Sequence, residues 1–200
     1  KMNEIIEILK EWNPWWENKE SIKELEGKPR PLYNNLIDSV NIKEITIITG
    51  IRRSGKSTLM YQIINNLLKD IESEQILFVN LEDKKLIKVT LDDIYNSYKE
   101  NLNPSKKSYV FLDEIHQKKE WESWIRKKYD LKTNDKFVIS GSCSYLLKKE
   151  YSTLLTGRNI TFDVFPLNFK EFLSFKNIEI DTEKIKKKII LEKTETLIRK

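Results

Sequence analysis

TGIRRSGKST, residues Thr49 to Thr58, is the stretch on which the reading of this chain turns. Gly50, four residues, then Gly55, Lys56 and Ser57 match the spacing G-x-x-x-x-G-K-[ST] without deviation. An apolar run, Glu44 to Thr49, precedes it. After it, Leu59, Ile63, Leu67 and Leu68 fall on or near one face of a helix expected over Lys56 to Lys69. Strand, loop and helix in that order give the pattern its meaning. Glycines let a backbone wrap close to a polyphosphate. The backbone from Gly50 through Ile51, Arg52, Arg53, Ser54, Gly55, Lys56 and Ser57 to Thr58 is expected to form the cradle. Amide N–H groups converge there, and the helix adds the positive end of its dipole. Lys56 is expected to reach the β- and γ-phosphates, and the Ser57 hydroxyl to ligate Mg²⁺. Spacing assigns no job to Arg52 and Arg53. They add positive potential to the site, or they point outward to solvent or a neighbouring subunit. The second is the expectation for at least one of them, because backbone amides already line the cradle.

Further strands follow at Gln75–Glu82, Ser108–Glu114, Lys136–Gly141 and Asn159–Leu167. Between them, helical patterns cover Leu91–Leu102, Trp121–Tyr129 and Ser144–Leu155, and a short helix follows the last strand in NFKEFLSF. Strands alternating with helices imply a parallel sheet with crossovers and helices on both faces. Upstream, Asn3–Trp12 reads as a helix ended by Pro14, and GKPRPLYNNL as a turn-rich lead into the first strand. Trp12, Trp15, Trp16 and Tyr33 could stack on a nucleobase, but packing against a sheet edge is the stronger expectation.

The third strand, YVFLDEIH, runs four bulky residues into Asp113 and Glu114. Asp113 is expected to hold Mg²⁺, and Glu114 to be the base that orients or deprotonates an attacking water. An acid pair favours water as the nucleophile over the acceptor of a small-molecule kinase. No N-K-x-D element of guanine recognition is present: in NKES, Ser21 stands where Asp is needed, so ATP is the expected nucleotide. In VISGSCS, Ser140 or Ser142 fits a sensor of the γ-phosphate or of the water, and either also fits a helix cap. His116 reads more readily as a surface or packing residue than as a sensor. Arg158, in LLTGRNITF, is either an arginine supplied to a phosphate site, in cis or from a partner, or a salt-bridging residue near a turn.

The 200 residues suit one domain with a substantial core, or one domain plus the start of another. With 39% hydrophobic and 34% charged residues the chain is a soluble globular sequence. It has no run of the roughly 18 apolar residues that span a bilayer. A single cysteine, Cys143, forms no internal disulfide, which fits a reducing, cytoplasmic home. The net charge is +5, but Glu183 to Lys200 holds seven basic residues against three acids, so the rest is close to neutral. A solvated helix face explains that tail better than nucleic-acid binding does.

GIRRSGKST, YVFLDEIH, ISGSCSYLL, LTGR and FPLNFKEF, in this order, resemble the AAA+-type ATPases of archaea and bacteria that pair an N-terminal ATPase module with a C-terminal domain of unknown function. The early NPWW and RPLY are similar to that group too. The resemblance covers Glu11 to Phe175. It implies an α/β P-loop NTPase three-layer sandwich with a five-stranded parallel sheet of order 5-1-4-3-2. It also implies ATP and Mg²⁺ as ligands and a finger or finger-like role for Arg158, which acts in cis or, in a homo-oligomer, on a neighbouring subunit. On this basis residues 1–40 are expected to pack on a core at 41–176, with 177–200 opening a helical lid or further domain. Proteins of that group continue well beyond this length. A fragment is therefore expected, with a lid-borne second sensor absent or incomplete. Coupling of ATP hydrolysis to movement of a C-terminal domain is the leading expectation, with a nucleic-acid or protein partner engaged through that domain. A regulatory module with little turnover is the alternative.

Overall fold

A computed structural model of the chain describes residues 2–102, 107–142 and 155–178. Five strands form one sheet: β1 (Ile45–Gly50), β2 (Ile76–Asn80), β3 (Tyr109–Asp113), β4 (Lys136–Gly141) and β5 (Asn159–Val164). All neighbours are parallel, and the order β2-β3-β4-β1-β5 is the expected 5-1-4-3-2. The described α-helices are α1 (Met2–Trp12), α2 (Leu32–Ser39), α3 (Lys56–Leu67), α4 (Leu91–Asn101), α5 (Trp121–Asp130) and α6 (Phe169–Phe175). The helix expected over Ser144–Leu155 lies outside the described residues except for Leu155, as do Cys143 and the basic tail.

Strand alternation sorts the core into two layers. Ile47, Leu77, Val79, Val110, Leu112, Phe137 and Ile139 face one way and pack with Ile5 and Leu9 of α1, Ile94 and Tyr98 of α4, and Ile125 of α5. Ile48, Ile76, Phe78, Tyr109, Phe111 and Val138 face the other and meet Leu36 of α2 and Leu59, Met60 and Ile63 of α3. Strands β1 to β4 are buried almost throughout because both faces are covered, whereas the edge strand β5 is largely exposed. The helix α4 starts sharply because Thr90 and Asp93 form a reciprocal capping box.

The segment GKPRPLYNNL, read as turn-rich, contains α2. Pro31 supplies the N-cap and Leu36 a fully buried anchor. Tertiary packing of one apolar side chain outweighs the weak helix propensity of Asn34 and Asn35.

NPWW closes the sheet at its β2 edge. The Asn13 amide donates to the Phe78 carbonyl at 2.8 Å and its oxygen accepts from the Phe78 N–H at 2.6 Å, as a neighbouring strand would. The Trp16 indole donates to the Ile76 carbonyl at 2.8 Å, and the Trp15 indole to the same oxygen at 3.3 Å. An edge strand so covered cannot pair with another chain. Trp15 is fully buried among Ile76, Phe78 and the α3 residues. Trp15→Ala is expected to cost about 3–5 kcal/mol and Trp15→Phe clearly less. The check is the denaturant midpoint, with an unchanged slope showing that only stability moved.

The chain divides into two compact units, residues 1–166 and 167–200. The first holds the sheet. The second holds α6, opened by a capping box between Asn168 and Glu171.

Candidate functional site

The register of β1, β3 and β4 brings the predicted residues together at the carboxyl ends of the strands. Gly50 ends β1, Asp113 ends β3 and Gly141 ends β4. Gly50 is required sterically: a Cβ there would run into the Val164 carbonyl of β5 and meet Ser54 Oγ at 2.8 Å. Gly55 caps α3 with φ 97°, a left-handed conformation that suits glycine alone. Arg53 is also left-handed, at φ 66°.

Lys56 is buried under the loop. Its ammonium donates to the carbonyls of Gly50 at 3.2 Å and Ile51 at 3.3 Å, and pairs with Glu114 Oε1 at 3.2 Å. Ser57 Oγ donates to Asp113 Oδ2 at 2.6 Å. The other carboxylate oxygen, Oδ1, accepts from the Ser140 hydroxyl. Burial raises the Asp113 pKa above its ordinary value, the Ser140 and Ser57 hydrogen bonds hold it back, the Glu114 charge adds to the rise and the Lys56 charge opposes it. Ser140 Oγ also accepts the Glu114 N–H at 3.1 Å, so one hydroxyl orders both acids. Ser142 lies half-buried just beyond the end of β4.

Glu114 sits at φ 54° and ψ 49°, a conformation that costs a non-glycine residue roughly 1–3 kcal/mol. The turn swings its side chain back so that Oε2 lies 3.4 Å from His116 Nδ1 while Oε1 faces Lys56. Extended backbone would have sent neighbouring acids to opposite faces.

Of the two loop arginines, Arg52 points outward, its side chain 77% exposed, and donates to Glu82 beyond β2 at 3.0 Å. Arg53 is exposed. Arg158 is not part of this cluster. Its carbonyl accepts from Ile45 at the start of β1, whereas the phosphate-loop pattern begins at the end of that strand. The length of β1 separates them, roughly 17 Å at 3.3 Å per residue. The Arg158 guanidinium donates to Asp130 Oδ1 at 2.9 Å. That bond is the main reason the Asp130 carboxyl lies below its usual range.

A family model described as an AAA domain matches residues 42–173. The chain belongs to the AAA-domain family. This AAA domain is 38% identical over 154 residues to the uncharacterized protein MJ1544 of Methanocaldococcus jannaschii, covering 77% of the chain and 33% of that protein. It is 36% identical over 146 residues to an uncharacterized protein of Haemophilus influenzae, covering 72% of the chain and 36% of that protein. The chain thus spans about a third of the length of these curated relatives. Among solved structures it resembles C. elegans PCH-2, at TM-score 0.50 and 16% identity over 82% of the chain and 53% of that one. It also resembles Saccharomyces cerevisiae RIF2, at TM-score 0.51 and 12% identity over 82% of the chain and 68% of that one. Identities this low establish the shared fold.

Two residues of the AAA domain escaped sequence reasoning. Arg30, from the RPLY stretch, is buried and donates to the Ser54 carbonyl of the loop at 2.8 Å. Lys118 is buried and donates to the Leu86 and Val89 carbonyls at 2.5 and 2.8 Å. It ties the segment after Glu114 to the loop after β2. Arg30 lies in the RPLY stretch that carried the resemblance, but nothing in that stretch assigned it a role; Lys118 has no periodic or motif signal, and burial reveals both.

Among the described residues no helix is long and apolar enough to cross a membrane, and no three His, Cys, Asp or Glu side chains cluster as a metal site. The adjacent hard oxygens of Ser57 and Asp113 are the donors that suit Mg²⁺, an ion that draws its remaining ligands from phosphates and water.

Proposed function

We propose that this AAA domain is a Mg²⁺-dependent ATPase module of AAA+ type, working within a longer protein. The observation that carries the proposal is the Lys56–Glu114 and Ser57–Asp113–Ser140 network at the end of β1 and β3. The backbone of Gly50, Ile51, Arg52, Arg53, Ser54, Gly55, Lys56, Ser57 and Thr58 cradles the polyphosphate. Ser54 supports this fit, since its buried hydroxyl has no hydrogen-bond partner. Ser57 and Asp113 would hold Mg²⁺, which when bound would supply charge neutralisation to the phosphates. Lys56 exchanges its loop carbonyls for phosphate oxygens. Glu114, released from Lys56, takes the proton from an attacking water. Ser140 acts through the two acids by fixing their orientation, and Ser142, half-buried just beyond β4, is the second candidate sensor.

The test is phosphate release from MgATP with and without an added small-molecule acceptor. Phosphate appearing in water supports the reading; phosphate on the acceptor replaces it with a kinase.

Arg158, held at the opposite end of β1, serves only a neighbouring copy's site. That favours a homo-oligomer, and it also keeps open a second reading, a nucleotide-dependent regulatory module that turns over slowly as a monomer. Arg158→Ala is expected to lower turnover by about a thousandfold in the assembled protein and to leave the Kd for MgATP unchanged. Mixing it with Glu114→Gln subunits restores activity to sites built from one intact half of each. Activity that stays constant on dilution into the monomer range sinks the role in trans. Coupling to a nucleic-acid or protein partner would run through a C-terminal domain of the longer protein.

A further inference from the structure

A trans peptide sends its C=O and the following N–H in opposite directions. In the phosphate loop this matters most at the Ser54–Gly55 bond. Glycine crosses easily between left- and right-handed conformations, so this peptide can flip unless something holds it. Turned one way, it presents an N–H to an anion; turned the other, it presents a carbonyl that repels one. The Ser54 hydroxyl does not hold it, having no hydrogen-bond partner itself. The Ser54 carbonyl is held by Arg30 Nη1, at 2.8 Å. The other arm of the same guanidinium, Nη2, donates to the Phe165 carbonyl at 3.1 Å. Arg30 is 8% exposed, and its Nη1 lies 3.7 Å from where a Gly55 Cβ would stand. Among the described residues no hydrogen bond uses the Gly55 N–H.

We infer that Arg30 is the positioning residue of the phosphate loop, pinning the Ser54 carbonyl outward so that the Gly55 N–H faces the anion. The inference rests on the proposed nucleotide reading and adds to it a residue from outside the loop. The planar fork of arginine spans two carbonyls at once, which the single ammonium of lysine cannot do. The second carbonyl gives the clamp a fixed support. Phe165 follows β5 directly, and Gly50, at the loop's other end, packs against the Val164 carbonyl of the same strand. Both ends of the loop therefore lean on the close of β5. Pro31 begins α2 beside Arg30 and limits the backbone from which the clamp reaches.

The test compares the full chain with Arg30→Lys and Arg30→Met. It reads thermal stability, Kd for MgADP and for pyrophosphate, and the Gly55 amide resonance during pyrophosphate titration. In the parent the Gly55 amide is expected to be among the most shifted in the loop. Arg30→Met, where folded, is expected to weaken both ligands by about tenfold, one charge-assisted hydrogen bond's worth, and to flatten that shift. Arg30→Lys recovers stability and not affinity, a split that a merely structural arginine does not produce. Folded variants that bind both ligands as the parent does overturn the clamp. So does a parent Gly55 amide that stays still while its neighbours move, a result available even if Arg30→Met does not fold. A parent that binds neither ligand fails earlier, at the nucleotide reading, and takes this inference with it.

Discussion

Lys56→Ala is expected to raise the Kd for MgATP by about a hundredfold or more. The reason lies in what the side chain touches. Its ammonium is buried between the Gly50 and Ile51 carbonyls and 3.2 Å from Glu114. Those partners keep a charge stable inside the loop, and each can be exchanged for a phosphate oxygen at little net cost. A charge-assisted hydrogen bond contributes roughly 1.5–3 kcal/mol, and two phosphate groups in reach bring the loss to about two decades or beyond. The same substitution leaves Glu114 facing the phosphates with no cation between them, which adds repulsion to the lost attraction. Titration of the purified protein with a fluorescent ATP analogue measures the effect directly. A melting curve supplies the control, because a nucleotide that binds the native state raises its midpoint. The parent gains stability with MgATP and Lys56→Ala does not. Equal affinity in the two proteins removes the phosphate-loop assignment, whatever the motif suggests.

That prediction draws on residues legible from the sequence, and the reason they were legible is physical. The loop's chemistry demands fixed residue types at fixed spacing, so Gly50, Gly55, Lys56 and Ser57 announce themselves. The strands were readable because a sheet covered on both faces needs continuous apolar runs, as in YVFLD. The strand order was not contained in those runs. It came from the resemblance, and the observed order agrees with it.

Other features depend on contacts between distant segments, which no local pattern encodes. Arg30 sits 24 residues before the carbonyl it clamps, and 135 before the second. Arg52 finds Glu82 across the end of the sheet, which settles its direction as outward. Two carboxylates side by side in sequence say nothing of the left-handed turn that brings Glu114 back over Lys56. Arg158 shows the converse. Its place in LTGR pointed to phosphate chemistry, while the parallel register sets it at the far end of β1 from the loop. Within this chain its guanidinium pairs with Asp130 and not with the loop.

Glu114→Gln should separate binding from chemistry, with turnover falling by about two to four decades while MgATP binds as well as in the parent or better. Glutamine keeps the volume, so the left-handed turn and the N–H donated to Ser140 at 3.1 Å need not change. It removes the proton acceptor. It also removes the negative charge that competes for Lys56 at 3.2 Å, and so frees the ammonium for phosphate. A second effect acts through Asp113. The Glu114 charge is one of the influences that raise the Asp113 pKa, so its loss favours the ionised carboxylate that a divalent cation prefers. Both effects strengthen binding; neither rescues the proton transfer. The measurements are Kd by equilibrium titration and single-turnover phosphate release, which isolates the chemical step from product release. Unchanged phosphate release means Glu114 is only the counter-ion of Lys56, and the base must be sought elsewhere. Loss of binding together with turnover means the carboxylate holds the loop in shape. Only the split result, tight binding with slow release, fits a base facing the site of attack.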